Sequence, residues 1–341
     1  MAVKFLVTGG SGFICTNFKN LLASKNLEYY DIDAKLAGSN NFETIGTQNC
    51  KMHFNADLSN PKTYEALKVY FKNNFKDIVV VHFASLSHDD ASIKNPIDFV
   101  TKNIQLTYTI AEFCAKNDIP FVNIGTDEVY GELSLNDMPF NTSCDMSPRN
   151  PYSASKAAGE ILIESLISQY PYWKVLRTRC VNNFGEYQDP TKLIPVCIDS
   201  ILSNKKIPVY GKGEQVRTWI DVRQHNKVVL ELIEKTLLSS ICVNCSKARI
   251  FNIGSPFELS NIQLITKICE IMRVPVEQII QFIEDPRGHA HDFRYALDCR
   301  QTENFLGHSI SNYNFEERLR ETIDWYKQNL VDKSMWKGSN E

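Results

Sequence analysis

The chain has 341 residues, a formal net charge of −3 and an apolar fraction of 43%. This length can bury a large core and favours one big domain or two cooperating ones. The near-neutral charge offers no basic stripe for a nucleic acid, so we expect small-molecule partners. The N-terminus lacks the pattern of a signal peptide, and no apolar run approaches the ~18 residues that a membrane span needs. We therefore expect a globular, cytoplasmic protein that does not contact membranes.

Ten cysteines are scattered along the chain, a distribution that predicts reduced thiols rather than a disulfide framework. Cys242 and Cys245 form a C-x-x-C pair, but it has no second pair and no nearby His at metal-ligand spacing. No metal site is predicted.

Strands and helices alternate in the first half of the chain. Lys4 to Thr8 is a short apolar run that meets glycines at once, and the apolar spacing from Gly12 to Ser24 predicts a helix. Further strands are predicted at Glu28–Ile32, Ile78–Phe83, Phe121–Ile124 and Val175–Arg179, with helices at Lys62–Asn73 and Phe99–Lys116. This order predicts an α/β protein with a Rossmann-type, doubly wound parallel sheet and right-handed crossovers.

The pattern changes near residue 180 to shorter strands, Pro-rich turns and amphipathic helices, the last of them at Phe315–Tyr326. We therefore expect a first domain at residues 1–180, a smaller mixed α/β lobe at residues 181–330, and a tail at residues 331–341.

A glycine-rich loop follows the first strand. Missing side chains at Gly9, Gly10 and Gly12 permit a tight turn and let backbone N–H groups approach a pyrophosphate at a helix N-terminus. About twenty residues on, Asp31 and Asp33 end the second strand and fit the acid that accepts a hydrogen bond from a ribose 2′-OH. An acid there favours NAD over NADP.

Two nearby positions are less regular. Cys15 stands where such loops usually have a third glycine, and it is small enough to be tolerated. Asp57 and Leu58 follow another short strand, where they would either face the adenine or form a simple turn.

Tyr152 and Lys156 are four residues apart and so share one face of a helix. The ammonium can lower the phenol pKa and hold the nicotinamide ribose, which makes the tyrosine a base toward an alcohol.

Thr126, Asp127 and Glu128 lie at the carboxyl end of a predicted strand, where open parallel sheets place ligand-binding groups. Because the environment can drive the pKa values of two carboxyls apart, one can serve as a base and the other as an acid.

Seven segments carry a family resemblance: VTGGSGFI, HFASLSH, GTDEVYGE, PYSASKAAGE, TRCVNNFGEYQDPTKLIP, PVYGKGEQVRTW and DPRGHAHDFRYALD. In this order, and over nearly the whole chain, they resemble the nucleotide-sugar 4,6-dehydratases of the extended short-chain dehydrogenase/reductase superfamily. The Thr-Asp-Glu triplet is the most specific element, because related epimerases and decarboxylases generally lack the Asp-Glu pair.

The resemblance implies a reaction. Tyr152, helped by Thr126 and Lys156, would deprotonate the C4 hydroxyl of a hexose while NAD takes the C4 hydride. Glu128 would then abstract the C5 proton and Asp127 would protonate the departing C6 hydroxyl. The hydride returns to C6, so NAD would be held tightly and recycled in each turnover.

The resemblance also implies binding residues. For NAD they are Gly9, Gly12, Phe13, Ile14, Asp31, Asp33, Asp57, Leu58, Phe83, Ala84, Ser85, Thr101, Tyr152, Lys156 and Asn183. For the sugar nucleotide they are Ser87, His88, Thr126, Asn182, Lys192, Leu193, Pro208, Val209, Tyr210, Arg217, Asn252, Arg287 and His289. Arg217 and Arg287 suit bidentate contacts with a diphosphate.

The chain departs from the family pattern near the expected sugar. Leu86 stands where the family has Glu, Ala91 where it has Arg, Thr191 where Glu is common and Thr218 where it has Asp; the stretch from Arg287 to Arg294 carries about two extra residues. These changes predict more room and less polarity beside the hexose. We expect UDP-N-acetylglucosamine as the substrate, otherwise dTDP- or UDP-glucose, and the stereochemistry at C5 stays open.

Two other functions stay open. An NDP-sugar 4-epimerase or decarboxylase would share the cofactor loop, and a non-catalytic NAD-sensing regulator would not need Tyr152 and Lys156. By analogy with relatives, we expect a homodimer paired through helices that include the one carrying Tyr152.

Overall fold

The computed structural model describes residues 3–34, 49–87, 89–238 and 249–329. Its strands are Lys4–Thr8 (β1), Tyr29–Asp33 (β2), Cys50–Asn55 (β3), Ile78–His82 (β4), Phe121–Thr126 (β5), Val175–Cys180 (β6), Asn182–Phe184 (β7), Ile207–Tyr210 (β8), Val216–Asp221 (β9), Arg249–Ile253 (β10), Glu258–Ser260 (β11) and Ile280–Ile283 (β12). Its α-helices are Phe13–Ser24 (α1), Pro61–Tyr70 (α2), Asp89–Lys94 (α3), Pro96–Lys116 (α4), Pro151–Gln169 (α5), Leu193–Leu202 (α6), Val222–Ile233 (α7), Asn261–Met272 (α8), Val276–Ile279 (α9), Arg300–Leu306 (α10) and Phe315–Asn329 (α11).

The main sheet of the described residues has seven parallel strands in the order β10-β6-β5-β4-β1-β2-β3. From β1 the chain moves outward to β2 and β3, then returns to β4 on the other side of β1. This reversal opens a crevice at the carboxyl ends of β1 and β4, which is where such sheets bind ligands. The predicted Rossmann-type fold is confirmed.

The central strands are buried because both faces of the sheet are covered. Along β4, Val79 and Val81 belong to one hydrophobic cluster with α1 and α7, while Val80 belongs to another with α2, α4 and α5. Strands buried on both faces have continuous apolar sequences, and IVVVH is one.

The remaining strands form a smaller lobe. Strands β7, β9 and β11 make a three-stranded sheet, β8 pairs with β12, and helices α6, α8 and α11 pack around a third hydrophobic cluster. A single boundary near residue 180 is too simple a division, since α7 packs on α1 and β10 extends the main sheet beside β6. The reason is that Val228 and Phe251 share the core of the first domain.

Within the described ranges, none of the helices combines the length and the apolar character needed to cross a membrane. The eight cysteines in those ranges are unbridged thiols. Cys242 and Cys245, like the whole of the predicted tail at residues 331–341, lie outside the described residues.

Candidate active site

The glycine loop lies where the crevice opens. Gly9 has a φ of 73°, and a Cβ on it would lie 2.8 Å from the backbone of Ala84, so the turn requires glycine. Gly12 precedes α1 in extended conformation and gives the helix no side-chain cap. Phe13 and Ile14 form the first turn of α1, so the backbone N–H groups there suit a phosphate.

Asp33 and Asp31 occupy different depths on the same face of β2. Asp33, at the end of the strand, is partly exposed and its Oδ2 accepts a hydrogen bond from the Ser11 N–H at 2.9 Å. Asp31 is only 2% exposed and forms an ion pair with Lys19 at 3.0 Å. The ribose role predicted for both acids therefore fits Asp33, while Asp31 lies beneath the loop and does not fit it.

Other predicted cofactor residues also lie at this edge of the sheet. Phe83, Ala84 and Ser85 directly follow β4, and the Ala84 N–H donates to Thr8 Oγ1 at 3.3 Å. Asp57 is exposed after β3 and accepts from the Ser59 N–H at 2.8 Å, which is the geometry of a turn acid. Leu58 is buried, and Asn183 is a buried residue of β7.

Thr101 does not fit its predicted role. It is exposed on α4 and lines a surface hollow together with Tyr108 and Leu162. Asn103, two residues on and so on the opposite side of the helix, points inward: it accepts from the Leu86 N–H at 2.8 Å and donates to Ser155 Oγ at 2.9 Å. A polar residue on the buried face of α4 was the signal that sequence reasoning missed.

The Thr-Asp-Glu triplet runs from the end of β5 into a 3₁₀ turn, Asp127–Tyr130. Asp127 is buried, and burial raises its pKa to about 7 although Arg217 and the Thr126 hydroxyl act in the opposite direction. Glu128 is less buried and its Oε2 accepts from Asn150 at 3.2 Å. The two adjacent carboxyls therefore have different environments, as an acid and a base need.

Tyr152 and Lys156 lie in the first two turns of α5. The Asn150 side chain caps this helix in a reciprocal capping box with Ser153. Lys156 is buried, its Nζ donates to the Ile124 carbonyl of β5 at 2.9 Å, and burial lowers its pKa. Because Asn150 also bonds to Glu128, the start of α5 and the acidic turn form one unit.

Polar contacts join the two lobes above this unit. Lys192, the N-terminal cap residue of α6, donates to the Ser87 carbonyl at 2.9 Å. Arg287 Nε lies 2.5 Å from Asp90 Oδ1, and the Tyr210 hydroxyl lies 3.3 Å from Asp90 Oδ2. Asp90 contacts both of these predicted substrate residues, and it is a site residue that the sequence motifs did not predict.

Three predicted substrate residues are held inside the protein. Arg217 is 7% exposed, donates to the carbonyls of Val216, Asp292 and Phe293, and stacks on Tyr295. Backbone carbonyls thus hold its guanidinium, and its positive charge lowers the pKa of Asp127. The diphosphate contact of Arg217 stays a prediction.

Asn252 is 1% exposed, accepts from the Tyr130 hydroxyl and donates to the Phe140 carbonyl, so its amide links two segments of the protein. Its substrate contact stays a prediction. The Val209 side chain belongs to the third hydrophobic cluster, which leaves only its backbone for a ligand. Leu193, Pro208 and Asn182 lie at the start of α6, on β8 and on β7. His88 and the side chain of His289 lie outside the described residues.

Comparisons with known proteins agree with this geometry. The family model "NAD dependent epimerase/dehydratase family" matches residues 5–254. A dTDP-glucose 4,6-dehydratase of Escherichia coli is 31% identical, with 98% of this chain and 95% of the relative covered. One of Mycobacterium tuberculosis is also 31% identical over 98% of this chain and 96% of its own.

The solved dTDP-glucose 4,6-dehydratase of Bacillus anthracis in complex with NAD is 30% identical, with a TM-score of 0.82 and coverage of 98% of this chain and 99% of the other. That of Streptomyces venezuelae, also with NAD, is 28% identical with a TM-score of 0.84 and the same coverage. The chain therefore belongs to the NAD-dependent epimerase/dehydratase family and, within it, to the NAD-using nucleotide-sugar 4,6-dehydratases, which are hydro-lyases.

Proposed function

We propose that the Asp127–Glu128 pair and the Tyr152–Lys156 pair convert a nucleoside-diphosphate hexose to its 4-keto-6-deoxy form. The observation that carries this proposal is the environment of Asp127, whose buried carboxyl has a pKa of about 7 beside the partly exposed Glu128. Elimination of water needs a proton donor and a proton acceptor on neighbouring carbons. An epimerase or a decarboxylase would not need this pair.

The residues around the glycine loop fit NAD. Gly9 has no room for a Cβ, so the backbone of the loop stays open to a pyrophosphate, and the N-terminus of α1 has no side-chain cap in the way. Asp33 suits the ribose. When bound, NAD supplies the hydride acceptor for C4 and the donor for C6.

The protein's own groups would move the protons. Tyr152 takes the proton of the C4 hydroxyl, with Lys156 holding the phenolate form by its positive charge. The resulting C4 ketone acidifies the C5 proton, which Glu128 accepts. Asp127 gives its proton to the C6 hydroxyl, so that the C6–O bond breaks and water leaves. The proton held by Glu128 returns to C5 at the end.

Tight cofactor recycling has a direct test. The purified enzyme should contain NAD and turn over without added nucleotide, because hydride removal and return balance in each cycle. A stoichiometric requirement for added NAD would refute this part of the proposal.

We propose UDP-N-acetylglucosamine as the substrate. The support lies in Leu86, whose backbone is fixed on both sides by Asn103, and in Ala91 on α3. Where the family has Glu and Arg, this chain has an apolar and a small side chain, which leaves room for an N-acetyl group. The similar dTDP-glucose 4,6-dehydratases instead favour dTDP-glucose, so the nucleobase and the sugar are tested separately.

The discriminating experiment compares four substrates. Purified enzyme is incubated with UDP- and dTDP-linked glucose and N-acetylglucosamine, and products are identified by mass and NMR. A tenfold preference in kcat/KM for either glucose donor, about 1.4 kcal/mol of transition-state binding, would overturn the N-acetyl proposal and leave the dehydratase proposal intact. Absence of any 4-keto-6-deoxy product would overturn both.

We also propose a homodimer formed through α4 and α5. Ile97 and Ile161 are 74% and 58% exposed there, beside the hollow that Tyr108 and Leu162 line. Apolar residues grouped on adjacent helices suit burial against a second copy of the same surface. Light scattering of the wild type should give a dimer mass, and Ile161→Glu should give a monomer; a monomeric wild type would contradict the proposal.

A further inference from the structure

A buried ion pair lies beneath the glycine loop and takes no part in the chemistry described above. Lys19 of α1 has no measurable exposure, and its Nζ is 3.0 Å from Asp31 Oδ2 on β2. His53 Nδ1 of β3 lies 3.4 Å from the same oxygen, on a ring that is partly exposed. Charges this deep are found in proteins only when they are paired, so Lys19 and Asp31 depend on each other.

The pair is in contact with the loop itself. Asp31 Oδ1 occupies the space that a side chain on Gly10 would take: an added Cβ would lie 1.6 Å from that oxygen. On the other side of Gly10, Thr16 Oγ1 of α1 donates to the Gly10 carbonyl at 3.3 Å. The loop therefore rests directly on the Asp31 carboxylate, and this contact explains the glycine at position 10.

An isolated carboxylate in this place would oppose cofactor binding. The loop backbone would hold a pyrophosphate, and an unpaired negative charge against the same loop, screened little by water, would repel that ligand. The Lys19 ammonium, 3.0 Å from Asp31 Oδ2, offsets this negative charge. Asp33, the next acid on the same face of β2, accepts a hydrogen bond from the Ser11 N–H at the end of the strand.

We propose that Lys19 is a positioning residue for NAD, which keeps the Asp31 carboxylate neutralised under the glycine loop so that the loop accepts a pyrophosphate. Asp31 supports the backbone of Gly10 by contact, and Lys19 makes that support electrostatically neutral. The charge of Lys19, more than its bulk, then sets the affinity for NAD.

The test measures NAD binding by isothermal titration to full-length protein stripped of nucleotide, and so is independent of which sugar is the substrate. Lys19→Met removes the cationic partner of the Asp31 carboxylate and should raise the Kd for NAD at least about tenfold. The double variant Lys19→Met/Asp31→Asn removes both charges and should leave the Kd within about threefold of the wild type. Lys116→Met, which breaks an exposed pair with Glu112 on α4, is the control and should change nothing.

Different behaviour of Lys19→Met and the double variant separates charge from simple structural support. Equal loss of affinity in these two variants would overturn the proposal, because a mechanical defect from the loss of the lysine would affect both. So would a wild-type Kd in folded Lys19→Met. If Lys19→Met does not fold, the double variant decides: a Kd within about threefold supports the proposal, and a tenfold loss overturns it.

Discussion

The crevice at the carboxyl ends of the main sheet has a floor, formed by the first domain, and a rim, where the second lobe meets α3. The two regions hold their functional side chains in different ways. On the floor, Lys156 is fixed by the Ile124 carbonyl of β5 and Glu128 by the amide of Asn150, all within the first domain. At the rim, Arg287 of the second lobe meets Asp90 of α3, and both are partly exposed. The floor is thus preformed by the main sheet, while the rim exists only where two lobes meet.

This difference separates chemistry from recognition. Residues fixed by a buried sheet keep one geometry with any substrate, so their loss should reduce kcat. Residues that bridge two lobes can be changed without disturbing the sheet, and the departures Leu86 and Ala91 lie on the rim side of the molecule. Variants of the two regions should therefore affect different kinetic constants.

The largest effect is expected on the floor. Asp127→Asn and Glu128→Gln should reduce formation of 4-keto-6-deoxy product by about 10²- to 10⁴-fold, because each removes a proton transfer from the elimination. Oxidation at C4 should persist, since Tyr152 and Lys156 act before the carboxyls. The 4-keto hexose is detected by trapping with borodeuteride, and Glu164→Gln, an exposed carboxylate of α5, is the control. Wild-type product formation in both variants would contradict the assigned roles.

The pH profile tests the same floor without a large structural change. A raised pKa means that Asp127 carries its proton up to about pH 7, so kcat/KM should hold below that value and fall as pH rises through it. The fall should approach about tenfold per pH unit, because a single proton is lost. The residual activity of Asp127→Asn should not show this fall in kcat/KM above pH 7. A flat wild-type profile above neutrality would mean that Asp127 is not the acid.

A smaller effect is expected at the rim. Arg287→Met should raise KM for the nucleotide sugar by about ten- to a hundredfold, the range for one hydrogen bond to a charged group, with kcat within about threefold. Arg300→Met is a matched control, because Arg300 also pairs with an aspartate but is far more exposed. If Arg287→Met lowered kcat alone, the division between floor and rim would fail.

The smallest expected effect concerns the sugar itself. Ala91→Arg restores the bulk that relatives have and should reduce kcat/KM for UDP-N-acetylglucosamine about threefold or more beyond its effect on UDP-glucose. Competition between the two donors, followed by mass, measures the ratio directly. Equal losses on both sugars would show that position 91 does not face C2.

Local spacing predicted much of the floor. The glycine loop after β1, the Thr-Asp-Glu turn after β5 and the Tyr-Lys pair on α5 each depend on neighbours within a few residues. Parallel strands then bring their carboxyl ends to one edge, which is why these three motifs could be joined from the sequence.

Local spacing could not predict how deeply a side chain is buried or which side of its helix or strand it lies on. Asp31 and Asp33 share a face of β2 and differ only in how far they lie beneath the loop. Thr101 and Asn103 are two residues apart on α4, so one faces solvent and the other the interior. An alternating or helical pattern of apolar residues gives the faces of an element, but it does not say which polar residue meets which neighbour.

The fold class and NAD as the cofactor could be predicted from motifs and apolar periodicity, because both depend on residues that are neighbours in the chain. Only the folded protein shows that Arg217 and Asn252 bond to buried backbone and hydroxyl groups, that Asp90 meets Arg287, and that Lys19 pairs with Asp31. These partners are 12 to 197 residues apart in the chain. Their pairing depends on which polar groups the packed core leaves without water, and only the folded chain determines that.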